Sequence, residues 1–218
     1  MKKLLLFTLA VVLVAGVDLN AQNDDKAKKI LDEMSATYKD IPAFKANFVN
    51  RLENKVEGLD EDFSGEITVM DNKYHLKVGD QEIYNNGETV WTYLKESNEV
   101  NIDYYYPEDG DMSPSNIFNA YKEGYKYRFI EQKQKGSRKV NVVELQPEAG
   151  TDNFDQFIKI KLEIFDDTHT LSSWQIYDKV GNVYSYTITG FNPNLKADSD
   201  MFEFDPSEYP GVEIIDLR

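Results

Sequence analysis

The runs Phe63-Ser64-Gly65-Glu66-Ile67-Thr68-Val69-Met70, Lys73-Tyr74-His75-Leu76-Lys77-Val78, Glu82-Ile83-Tyr84 and Thr89-Val90-Trp91-Thr92-Tyr93-Leu94 follow one another within thirty-two residues. In each, apolar and polar residues tend to alternate, the period of a half-buried β-strand. Asp71-Asn72 and Asn86-Gly87 fall between them. Asn-Gly is a strong signal for a tight hairpin, because both central residues of that turn need positive φ. Hairpins spaced so closely predict an antiparallel meander.

Outward from this stretch the same period continues. Strands are predicted over 44–52 and 99–106, and again over 125–131, 139–146, 157–165, 171–178, 183–191 and 201–204, with a tail over 212–217. Asp166-Asp167, the stretch 179–182 and the stretch 192–194 are the turns. Two segments break the pattern. Ala27, Ile30, Leu31, Met34 and Tyr38 recur at helical spacing after the start signal Asn23-Asp24-Asp25, and Pro42 stops them. A second helix is predicted from Ser113 as N-cap, through Pro114 at the first position, to Gly124; Ile117, Phe118 and Tyr121 share its face. About a dozen short strands with two short α-helices predict a mostly β domain, a barrel or one strongly curved antiparallel sheet. The apolar stripe of the first helix suits either plain core packing or a lid over a cavity. Several strands are apolar on both faces. Trp91 and Tyr93 oppose Val90 and Leu94, and Phe157 and Phe165 oppose Ile158, Ile160, Leu162 and Ile164. That pattern predicts a second apolar environment, such as a lid or a ligand.

Lys2 and Lys3, the apolar run 4–17 and Ala21 have the form of a secretory signal peptide, so residues 1–21 are expected to be removed and 22–218 to form a single domain. The chain has no cysteine, which together with secretion points to a bacterial periplasm or cell surface more than to a eukaryotic secretory route. Formal charge is −15; the expected leader carries a net +1 from Lys2, Lys3 and Asp18, leaving about −16. Such an acidic surface disfavours nucleic acid and anionic membranes and predicts a soluble monomer.

Chemistry finds little support. His75 lies mid-strand and His169 in a turn, without a cysteine or a Gly-x-Ser-x-Gly elbow to partner them. No zinc spacing occurs, Glu108-Asp109-Gly110-Asp111 fails the calcium-loop spacing, and no glycine-rich phosphate loop follows a strand. No catalytic residue, metal or cofactor is therefore expected.

Five motifs then carry a resemblance. Lys45-Ala46-Asn47-Phe48, with Asn50, resembles Ala-x-Phe-x-Gln; Gly65 to Val69 resembles a Gly-x-Leu strand; Asn86-Gly87-Glu88-Thr89-Val90-Trp91-Thr92-Tyr93 resembles Asp-Gly-x-x-Leu-Trp-x-Tyr. Pro114 to Phe118 resembles the start of a mid-chain helix, and Phe202 to Pro206 with Gly211 to Ile214 resembles Phe-x-Phe-x-x-Pro-x-Gly-Val. Together they resemble the LolA-like periplasmic lipoprotein carrier family. The resemblance implies an incomplete, unclosed β-barrel with a helical lid over an apolar cavity. It also implies acyl-chain cargo of a lipoprotein or another lipid, an inner-membrane transporter as donor and an outer-membrane acceptor. Ile30, Met34, Ile117 and Phe118 are the expected lid residues. Tyr74, Leu76, Ile83, Trp91, Ile160 and Leu162 are the expected cavity or core residues. One departure stands out: the family's lid-holding arginine after the Gly-x-Leu strand is replaced here by Asp71, with Lys73 nearby. An envelope-stress sensor or adaptor that binds a protein partner is a second reading of the same scaffold, and a hydrolase using scattered carboxylates a third.

Overall fold

The computed structural model describes residues 19–106 and 117–218. Helix α1 (Leu19–Lys39) comes first. A meander follows: β1 (Ala43–Asn54), β2 (Leu59–Met70), β3 (Lys73–Val78), β4 (Gln81–Asn85), β5 (Thr89–Leu94) and β6 (Glu99–Tyr104). A second meander contains β7 (Tyr125–Lys135), β8 (Arg138–Pro147), β9 (Phe157–Phe165), β10 (Leu171–Asp178) and β11 (Val183–Asn192), with the short helix α2 (Asp152–Gln156) before β9. β12 (Glu213–Asp216) ends the series. All twelve strands form one sheet in the order β12-β6-β5-β4-β3-β2-β1-β11-β10-β9-β8-β7. The sheet is curved and unclosed, with β12 and β7 at its edges.

β1 is the seam. It pairs with β2 along its whole length and with β11 from Lys45↔Asn192 to Glu53↔Val183, joining the two meanders. In the strand order β6 lies next to the edge strand β12, and β7 is the other edge. Residues 107–116, where Ser113 and Pro114 are expected to open a helix, lie outside the described residues. Beyond them the chain makes a turn at 117–119 and a single 3-10 turn at Ala120–Lys122, rather than the tail of an α-helix. Asp71, in the β2–β3 turn, takes a positive φ of 54°, a conformation that Asp tolerates better than most residues.

Three expectations need correcting. The stretch 201–204 is not a strand; its start lies in a 3-10 turn at Ser199–Phe202. β12 runs parallel to β6, not antiparallel, because the chain returns along the outside of the sheet before pairing. The second α-helix is α2, a five-residue turn too short to leave a periodic signature.

One face of the sheet carries the main core. Ala27, Ile30, Leu31, Met34 and Tyr38 of α1 are all buried there, against Val143, Leu145, Ile160, Leu162 and Ile164 among others. Each large side chain so buried contributes roughly 1.5–3 kcal/mol. The opposite face has its own cluster: Tyr84, Tyr93, Val100 and Phe204, with Trp91, Tyr209 and Val212 packed on it. The C-terminal segment is thus the second apolar environment that the two-faced strand β5 required. Phe204 and Tyr209 stack at 4.6 Å over Tyr93 and beside Tyr84.

Beneath this strap lies Glu82, buried, with Lys77 Nζ at 3.1 Å, Lys95 Nζ at 3.2 Å and the hydroxyls of Tyr84 and Tyr209 at 3.1 and 3.3 Å. Burial alone pushes its carboxyl upward, but the lysines and Tyr84 outweigh that and hold it at about 2. His75 stacks on Tyr84 at 4.0 Å, and burial followed by Lys77 lowers its pKa despite Glu82 at 3.5 Å. Both groups bind fewer protons folded than unfolded, so both make stability fall with falling pH. The His75 contribution is complete above about pH 6.5 and declines below it; that of Glu82 declines from about 4.5 toward about 2. Urea unfolding midpoints at pH 7.5 and 5.5 should therefore differ, and His75→Gln should reduce the difference. An unchanged difference would remove His75 from this account.

Candidate functional site

The inner face is lined where α1 ends. β1 presents Phe44, Ala46 and Phe48; β2 and β3 add Ile67 and Leu76 in the same register row as Ala46. On the other side of the seam stand Tyr186, Ile188 and Phe191 of β11 and Leu171, Trp174 and Ile176 of β10. Tyr38, Ile117 and Phe118 close the top. The space between them is an almost wholly apolar cavity of about 260 Å³, partly open to the outside. Phe48 lies flat over Gly65, where any Cβ would collide with its ring, so glycine is what lets the wall form there. Trp174 and Tyr186 stack at 4.6 Å, nearly parallel.

Over the cavity sits an aromatic plug tied down by polar bonds. Tyr38 stacks on Phe118 with centroids 3.5 Å apart, and meets Phe44 and Phe191 edge-on at 5.5 and 5.9 Å. Its hydroxyl accepts a hydrogen bond from the Leu171 backbone N–H at 3.1 Å, and burial pushes its pKa far above the ordinary value, so it stays neutral. Outside the plug, Tyr121 donates to Asp32 at 2.7 Å and Ser35 to Asn119 at 2.7 Å. Lys122 donates to both Ser35 and Asn119 at 2.9 and 2.8 Å.

Of the expected lid residues, Ile117 and Phe118 reach the cavity wall; Met34 and Ile30 are buried in the same core, about one and two turns back from Tyr38 along α1. Of the expected cavity residues, Leu76 is on the wall. Tyr74, Ile83, Ile160 and Leu162 belong to the surrounding inner-face core. Trp91 is on the opposite face, because its register partners Tyr84 and Ile102 point outward while Ile83, opposite Thr92, points inward. The β1, β10 and β11 walls were not singled out from the sequence. Their signal was the alternation 44/46/48 and 186/188 leading away from the helix end. Among the described residues, no group of three or more His, Asp or Glu is placed to hold a metal ion.

A model of the family described as outer membrane lipoprotein carrier protein LolA matches residues 17–154. The chain belongs to that family. A curated relative, an outer-membrane lipoprotein carrier protein of Legionella pneumophila (strain Lens), is 28% identical over 138 residues, covering 62% of this chain and 63% of the relative. The chain thus spans less than two thirds of that protein's length. Two solved structures share the fold. An uncharacterised conserved protein from Thermus thermophilus has a TM-score of 0.58 at 11% identity, over 88% of this chain and 99% of its own. A DUF1329 family protein from Desulfovibrio piger has 0.51 at 10%, over 86% and 99%.

The match to the LolA family ends before β9, so the β10 and β11 half of the cavity wall lies beyond it. The departure from the LolA pattern at Asp71 also has a structural counterpart. Asp71 sits in its turn, and Lys73 reaches out to Ser199 at 3.2 Å on the outer strap. Residues 119–122 of this LolA-family chain are tied to α1 by the Asp32–Tyr121 and Ser35–Asn119–Lys122 bonds.

Proposed function

We propose that this chain is a periplasmic carrier that takes acyl chains into the inner-face cavity and hands them on without chemistry. The observation that carries the reading is the apolar space between the curved sheet and the Tyr38–Phe118 plug. An apolar cavity of 150 Å³ admits a six-carbon ring, so one of about 260 Å³ has room for roughly ten carbons. Ten methylenes leaving water gain roughly 8 kcal/mol before ordering costs of several kcal/mol. Net binding is then modest enough to reverse, as a carrier needs. A cargo with several acyl chains, such as a lipoprotein, needs the Tyr38–Phe118 plug displaced first.

The remaining parts follow from this role. Residues 1–21 direct export and are removed, and 22–218 act as one soluble domain. A membrane transporter loads the cavity and an outer-membrane acceptor empties it. The test is native mass spectrometry of protein taken from the periplasm, before and after delipidation, with titration of a fluorescent fatty-acid probe. Acyl adducts lost on delipidation, and saturable probe binding afterwards, are expected. Neither adduct nor probe binding would end the carrier reading.

A further inference from the structure

The sheet is split beside the cavity. The β10–β11 ladder runs only from Tyr177↔Val183 to Ser173↔Thr187; beyond it β10 stays with β9 and β11 stays with β1. Register shifts flank the split on both sides, one between Leu171 and Ser173 of β10, the other where Phe48 and Asn47 of β1 meet Ile188 and Gly190 of β11. Such irregularities locally disrupt a ladder and re-aim its side chains. The result is a cleft of about 530 Å³, capped by Thr37 and Ile41 at the end of α1. Leu171, Ile188 and Phe191 line both this cleft and the apolar cavity, so the two spaces share a wall.

The chemistry changes across that wall. The cavity is apolar; the cleft gathers the hydroxyls of Thr37, Thr168, Thr170 and Thr189 and the guanidinium of Arg138. Arg138 is fixed in place. It lies 3.6 Å over the Phe165 ring, pairs with Asp167 and donates to Thr168 at 2.8 Å, and Thr168 is in turn 2.8 Å from Thr170. These bonds use Nε and Nη2, part of the five donors a guanidinium carries. An oily pocket that opens sideways onto hydroxyls and an oriented arginine matches a molecule with an apolar tail and an anionic head.

We propose that the cleft between β10 and β11 is a headgroup site for an amphiphile with an anionic head, whose tail occupies the cavity; this rests on the carrier reading above. The head leaves through the side of the sheet, past Phe191, and not under the lid. Arg138 and the hydroxyls of Thr170 and Thr189 donate to its oxygens, while the Thr37 proton stays on the Glu33 carbonyl. Asp167 opposes it, and so limits how tightly the head is held.

The test is calorimetric titration of the delipidated full chain with dodecyl phosphate, dodecyltrimethylammonium and 1-dodecanol, each below its aggregation limit. Dodecyl phosphate should bind about tenfold more tightly than the cationic amphiphile. Arg138→Gln should erase that preference and leave dodecanol binding unchanged. Asp167→Asn, which frees the guanidinium, should widen the preference several-fold, a gain that a damaged fold does not produce. Equal affinity for all three heads in the unaltered chain, or an equal loss for all three in Arg138→Gln, overturns the headgroup site and leaves the carrier reading standing. Failure of every dodecyl compound to bind overturns both.

Discussion

Ala46→Phe is expected to weaken acyl-probe binding at least a hundredfold while the chain still folds. Ala46 is buried at the centre of the seam, between Ile67 and Phe191 in register, with its methyl group on the cavity wall. A phenyl ring there enters the space directly. A six-carbon ring fills an apolar cavity of 150 Å³, so more than half of the 260 Å³ is taken. Losing room for about six methylenes removes roughly 5 kcal/mol of transfer free energy, well beyond a hundredfold. Overpacking costs stability about 1–3 kcal/mol, but the adjoining empty space relieves part of it. Probe titration alongside urea unfolding reads both quantities. Full binding in a folded Ala46→Phe protein would show that cargo sits elsewhere.

Phe118→Ala should have effects of opposite sign on stability and on long-chain binding. The ring is buried and stacked on Tyr38, so its loss costs about 3 kcal/mol of stability. A sixteen-carbon chain exceeds the room for roughly ten and must push this ring aside; without the ring the displacement is cheaper by the stacking contribution, about 0.5–1.5 kcal/mol, which is up to about tenfold in affinity. An eight-carbon chain fits beneath the plug and gains nothing. Comparing the two lengths separates the lid from a general loosening of the core. If both chains weaken together, Phe118 is simply part of the wall.

How much of this was legible in the residues depends on whether the signal was local. The meander from β2 to β5 was readable because alternation and the Asn86-Gly87 turn act within a few positions. The α1 stripe was readable too, since Ala27 to Tyr38 all face one way. What alternation does not say is which face is inside. Trp91 and Ile83 carry equally strong signals, and only the register with Tyr84 and Ile102 sends Trp91 outward. The partner that covers it, Phe204 with Tyr209, comes from more than a hundred residues away. The same distance explains why Trp174 and Ile176 were passed over. They join Phe44 and Phe48 around the cavity only because β11 seats itself against β1. The family motifs reached the first half of the wall and resumed only at Phe202, passing over β10 and β11, and the match itself ends before β9.

The seam also sets the order of events at synthesis. β1 lies at the middle of the sheet, yet its neighbour on one side is the eleventh strand, ending at Asn192. A chain emerging from its N-terminus exposes one flank of β1, with Phe44 and Phe48, until nearly all of it has been made. Sheets built on such distant pairings close in milliseconds to seconds, slow enough to leave sticky intermediates. A nascent chain whose central strand must wait for its eleventh stays unfolded for longer, which suits the export proposed above.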